Sequence, residues 1–191
     1  MGWHNPTCFP GALRHTCTNM RFCRLRLVVL LLVLLCTIGC DQTTKHLARV
    51  GLSSHQSWIS AGGVIQLVLA ENPGAFLSLG HWFPEALRAL IFILAVGALL
   101  FGLFWYLVRS GPAVDWLTFA GLALVCAGGF SNLIDRVARN GSVTDFMVLR
   151  FGPVHTGVFN AADVAIVTGI SIFVAAYFIN HRAVASLPGK A

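Results

Sequence analysis

The sequence predicts an all-α integral membrane protein: four transmembrane helices with a small β-cradle or loop region on the outer face. Three observations lead there. Of 191 residues, 57% are apolar and only 10% charged, against about 25% charged in a soluble domain. Mean hydropathy is +0.77. Finally, long uncharged runs alternate with short polar motifs, so the polar residues gather at the ends of the runs. The net charge of +6 fits basic loops that set membrane orientation better than nucleic-acid binding, and no nucleic acid is expected as a partner.

In chain order, residues 1–20 come first and show no periodicity. They are read as a disordered or misassigned extension, since Met20 ahead of RFCRLRL makes a plausible start. His4, Cys8, His15 and Cys17 match no zinc spacing. The four-helix membrane domain proper is expected over 21–182, with 183–191 as a cytoplasmic tail. Leu27 to Cys40, 14 residues between Arg26 and Asp41, suits a signal-peptide core or a helix whose polar end opens into the protein. Ala89–Val108, Trp116–Ile134 and Val164–Ile179 are charge-free over 20, 19 and 16 residues. At about 1.5 Å rise per residue such lengths match a hydrocarbon core of roughly 30 Å. Ala120-Gly121 and Ala127-Gly128-Gly129 let the third helix approach a neighbour closely. Between the first two spans, Gly51 to Leu69 has an apolar, strand-like core from Val64 to Leu69, expected on the membrane surface as a cradle.

Four spans leave both termini on one side. The Arg21/Arg24/Arg26 cluster at the first helix places that side in the cytoplasm. Asp41, Glu71, Glu85, Asp135, Asp145 and Asp163 then fall on the outer half, and only Asp115 inside.

A carboxylate at membrane depth costs several kcal/mol unless it faces a cavity or a partner, so it marks a functional site by default. Asp163 is such a group. Asn160 lies three residues before it, on the same face of a helix's first turn, where the helix N-terminus favours an ionised carboxylate. A second carboxylate within a few ångströms, such as Asp145, would share one proton with it, which suits paired acid and base work. Asp135 competes for that role, but Asn132 and Arg136 flank it, and a carboxylate beside an arginine is more often a structural ion pair. HExxH, GxSG, DTG and DSG motifs are absent from the sequence.

These residues carry a resemblance to the lipoprotein signal peptidase family, also called signal peptidase II. DQTTK at 41–45 resembles its first-helix motif, and ENPGAF at 71–76 its Asn-x-Gly-Ala loop. GGFSNLIDR at 128–136 resembles its Gly-Asn-x-x-Asp-Arg segment, with Ser131 in place of the glycine. VTDF at 143–146 and FNAAD at 159–163 resemble the segments that carry its catalytic aspartates. The resemblance implies an aspartic endopeptidase of a bacterial inner membrane that cleaves prolipoproteins before a diacylglyceryl-modified cysteine. It implies Asp145 and Asp163 as the catalytic dyad, with Asn72, Gly74, Asn132, Asp135, Arg136, Asn160, Asp41 and Lys45 holding substrate or supporting the site. It requires no metal or organic cofactor, and a monomer in contact with membrane lipid is expected.

LLCTIGCDQTTK, residues 34–45, also looks like the end of a lipoprotein signal peptide, with Cys40 to be acylated. A lipobox wants an aliphatic residue at the position of Thr37, and a lipoprotein would not continue into three more spans. Asp41 and Lys45, four apart with the acid first, are instead expected to cap the first helix. The rival class is a small proton-coupled transporter or channel, which predicts acids spread across membrane depth.

Overall fold

The first helix does not stop where the apolar run stops. In the computed structural model, which describes residues 10–52, 57–73, 84–110 and 114–185, α1 runs from Pro10 to Gly51. The helix therefore takes in residues 10–19, expected to be irregular. Residues 1–9 lie outside the described residues. At the other end the helix passes straight through Asp41 and Lys45, so these do not cap it. Both are fully buried, which is why eleven further residues stay helical after the hydrophobic run ends.

The remaining helices are α2 (Glu85–Arg109), α3 (Trp116–Ala138) and α4 (Ala161–Ala185). Four helices are long and apolar enough to cross a membrane, over Phe22–Gly51, Leu90–Arg109, Trp116–Ala138 and Ala161–Arg182. The last extends past the end of the apolar run, three residues into the expected tail, before the described residues end.

α3 is the central helix, and glycines set its distance from α4. A Cβ at Gly121 would lie 2.7 Å from the Gly169 carbonyl oxygen, and one at Gly128 would lie 2.5 Å from that of Ala162. The backbones therefore touch, as the small-residue spacing predicts. Gly129 turns the other way, towards Leu100 of α2. Leu30, Leu107, Phe119, Ala123 and Cys126 form the buried core between α1, α2 and α3.

Arg26 is part of the basic cluster read as an orientation signal, yet it is buried. Its guanidinium lies 4.5–5.0 Å from the ring centres of Phe22, Trp116 and Phe119 and donates to the Val114 carbonyl. At that same end Asp115 caps α3 by accepting from the Thr118 N–H at 2.9 Å, and Asn180 of α4 donates to it.

At the opposite end the chain forms a four-stranded antiparallel sheet in the order β1-β2-β3-β4, with β1 Ser57–Ser60, β2 Ile65–Asn72, β3 Val143–Phe151 and β4 Val154–His155. The cradle is thus built from two sequence regions. β2 realises the apolar run expected there, and β3 adds a strand that no alternating pattern announces, because its first four residues are all buried. Phe146 packs on Ala48 of α1 and on Leu52 just past its end, and so ties the sheet to the bundle.

Candidate active site

Two local devices bring the acidic residues together. After α3 the chain turns through Asn140 and Gly141, at φ of 51° and 93°, a left-handed pair that asparagine and glycine tolerate. The Gly141 N–H closes on the Arg136 carbonyl at 2.8 Å, and β3 starts two residues later. The second device is Phe159, whose backbone bonds Met147 in both directions at 2.9 Å. That short bridge fixes the entry to α4 beside β3, and therefore Asn160 and Asp163 beside Asp145.

Asn160 connects the two aspartates. Its Nδ2 donates to Asp145 Oδ1 at 2.6 Å, while its Oδ1 accepts the Asp163 N–H at 2.9 Å. Asp163 Oδ2 in return accepts the Asn160 N–H at 3.2 Å. This is a reciprocal cap of the helix start, in which the third-position carboxylate is Asp163 itself. Asn132 Nδ2 donates to Asp163 Oδ1 at 2.8 Å, and Asn72, at the end of β2, donates to Asp145 Oδ2 at 3.1 Å. The last contact follows from register: Asn72 pairs with Val143, so Asp145 is its diagonal neighbour on the same face.

Beneath this pair lies a buried ionic cluster. Lys45 has three protons to give and three acceptors to take them: Asp41 at 2.7 Å, Asp135 at 2.9 Å and Asn132 Oδ1 at 2.9 Å. Because an ammonium accepts nothing, it fixes the Asn132 amide with its oxygen inward and its nitrogen towards Asp163. Asp135 therefore does not form the expected ion pair with Arg136; its partner is Lys45, reached from another helix. Asp41 also accepts from Ser131 Oγ at 2.7 Å and from the Ala162 N–H at 2.8 Å. The second of these satisfies one of the open donors at the start of α4 from across the bundle.

Burial, opposed by the hydrogen bonds from Asn72 and Asn160, raises the Asp145 carboxyl from 3.8 to about 6, and the nearby Asp163 charge adds to the rise. Such an arrangement can hold a proton on one carboxyl while the other remains a base.

Eight of the ten residues expected at the site join this network: Asp145, Asp163, Asn72, Asn132, Asn160, Asp135, Asp41 and Lys45. Arg136 stands apart. Its Nε is buried without a hydrogen-bond partner among the described residues, although its charge acts on Asp163, Asp145 and Asp135. Gly74 lies outside the described residues. Three members were not expected. Gln42 donates to Asp135 at 3.1 Å and to Ser131, Ser131 holds Asp41, and the Thr144 N–H donates to Asp135 at 3.2 Å. Gln42 was open to inference, since it adjoins Asp41 in a helix too polar to face lipid there.

Comparison with known proteins gives the family and the fold. Residues 33–179 match the family described as Signal peptidase (SPase) II. A lipoprotein signal peptidase of Desulforapulum autotrophicum is 35% identical over 148 residues, covering 78% of this chain and 90% of its own. One from Syntrophus aciditrophicus is 34% identical over 138 residues, covering 70% and 82%. In fold, the chain resembles a bacterial membrane enzyme solved by the in meso method at 2.3 Å resolution. The TM-score is 0.69 at 18% identity, over 85% of this chain and 94% of that one. The transporter or channel class falls with these matches: this chain belongs to the signal peptidase II family.

Proposed function

We propose that the chain is an aspartic endopeptidase that removes signal peptides from bacterial prolipoproteins, cutting before the diacylglyceryl-modified cysteine, with Asp145 and Asp163 as its catalytic pair. The observation that carries the reading is the bridge of Asn160 between two carboxylates of unlike surroundings. Asp163, held in the cap at the start of α4, acts as the base and takes a proton from the attacking water. Asp145, whose ionisation burial holds back to about 6, carries the other proton to the scissile carbonyl oxygen and then to the leaving amine. The water oxygen bonds the carbonyl carbon, the C–N bond breaks, and the proton taken by Asp163 restores the pair. Asn72 and Asn160 orient Asp145, Asn132 orients Asp163, and Arg136 supplies positive charge near both. Asp41, Lys45 and Asp135 hold these residues in place.

The protein lies in the inner membrane. We place both termini in the cytoplasm and the dyad near the outer face, because Arg21, Arg24 and Arg26 sit at the end of α1 away from Asp41. The working unit is residues 21–182, acting as a monomer. The test is to incubate purified protein with one prolipoprotein in two forms, with and without the diacylglyceryl group, and to identify new N-termini by mass spectrometry. The reading expects a product beginning at the modified cysteine, from the diacylated form only. Cleavage elsewhere, or equal cleavage of both forms, contradicts it.

A further inference from the structure

A cavity lies on the side of β3 away from the two aspartates. It is a cleft of about 310 Å³ between the last turns of α1 and the sheet, at the small end of the roughly 300–1,000 Å³ typical of ligand pockets. Thr44, Leu47 and Gly51 form one wall, Trp58 and Leu67 the other, and Phe146 the floor. The lining is apolar. The Thr44 hydroxyl is already bonded at 2.9 Å to the carbonyls of Cys40 and Asp41, so among the described residues the Trp58 indole is its one free polar group.

We infer that this cleft binds the glycerol-proximal part of an acyl chain from a phospholipid of the surrounding bilayer. Continuity with the lipid-facing surface argues for that occupant. Leu47 is 62% exposed and Val50 one turn on is 76% exposed, so the apolar outer face of α1 leads directly to the cleft mouth. From Leu27 to Gly51 the helix rises about 36 Å, which keeps the cleft within the roughly 40–45 Å of a bilayer with its headgroup layers. Trp58, 64% exposed at the rim, is the kind of amphipathic ring that settles at that level.

Strand geometry argues against the substrate's own acyl chains. Successive side chains of a strand point to opposite faces. Asp145 points to Asn72 and Asn160, whereas Phe146 points to Ala48 and Leu52. A chain attached at the scissile residue would have to cross β3 to enter the cleft. The bound lipid instead completes the packing of β1 and β2 on α1, behind the strand that carries Asp145.

Gly51→Phe provides the test, because a Cβ at Gly51 meets nothing within 4 Å and an aromatic ring can occupy the cleft from there. Trp58→Ser opens the rim as a second variant. Native mass spectrometry after delipidation and return of phosphatidylethanolamine should show one retained phospholipid in the parent. It should show none in Gly51→Phe and weakened retention in Trp58→Ser. Added phosphatidylethanolamine should raise the melting temperature of the parent and not that of Gly51→Phe. The KM for a diacylated prolipoprotein should stay within about twofold in Gly51→Phe, less than 0.5 kcal/mol. Lipid retention equal in parent and Gly51→Phe overturns the site. A KM raised tenfold in a folded Gly51→Phe protein reassigns the cleft to the substrate chain and overturns the bilayer source. The lipid readout does not depend on peptidase activity, so it can fail without the functional reading failing.

Discussion

Asp145 and Lys45 place opposite demands on their surroundings, and each yields a test. The Asp145 carboxyl is raised from 3.8 to about 6. Below the lower value it is protonated in folded and unfolded chains alike. Between the two values only the unfolded chain releases the proton, so stability falls as pH rises through that window and stays lower above it. Asp145→Asn removes this loss. Its melting temperature relative to the parent should therefore be higher at about pH 7 than at about pH 4; an equal difference at both contradicts the buried, proton-retaining carboxyl. Lys45 neutralises two buried carboxylates at once. Lys45→Met leaves both without their counter-charge and should cost about 3–5 kcal/mol, read as loss of a cooperative thermal transition in detergent. At this scale the sequence exposes the charged residues but not their partners. Asp163 stands out as an acid in an apolar helix. That Asp135 pairs with Lys45, and Asp41 with Ser131, depends on side chains about ninety positions apart, and no local pattern encodes that.

At the level of elements, the spans were legible because lipid imposes uniform apolarity on them, and the glycines of α3 were legible because their spacing repeats. The end of α1 was not, since residues that face a polar cluster look like the end of a membrane helix. Strand β3 was hidden for a related reason: buried on both faces at its start, it lacks the alternation that marks a strand half in water. The α3–α4 contact gives a prediction of its own. Gly128→Ala would put a methyl group 2.5 Å from the Ala162 carbonyl oxygen, next to Asp163. It should cost about 1–3 kcal/mol and reduce cleavage, while Gly102→Ala, where nothing lies within 4 Å, should leave cleavage unchanged. Deletion of residues 1–19, which precede the matched span of 33–179, should leave insertion and cleavage intact; loss of cleavage would assign that segment a role in the enzyme.

In the whole molecule, the two ends of the bundle divide the work. One end is closed by Arg26 beneath its aromatic rings and by Asp115 capping α3. The other assembles side chains from α1, β2, α3, β3 and α4 around Asn160. That each of five elements contributes explains why the site motifs are scattered through the sequence, and why each alone is weak evidence. The central claim is that the carboxyls of Asp145 and Asp163 perform the cleavage. The direct measurement is the turnover of a diacylated prolipoprotein by Asp145→Asn and Asp163→Asn proteins that melt cooperatively, with Asp115→Asn as the control from the opposite end. The account predicts at least roughly 10²–10⁴-fold loss in each dyad variant and near-parent turnover in Asp115→Asn. Substantial turnover by either folded dyad variant would contradict it.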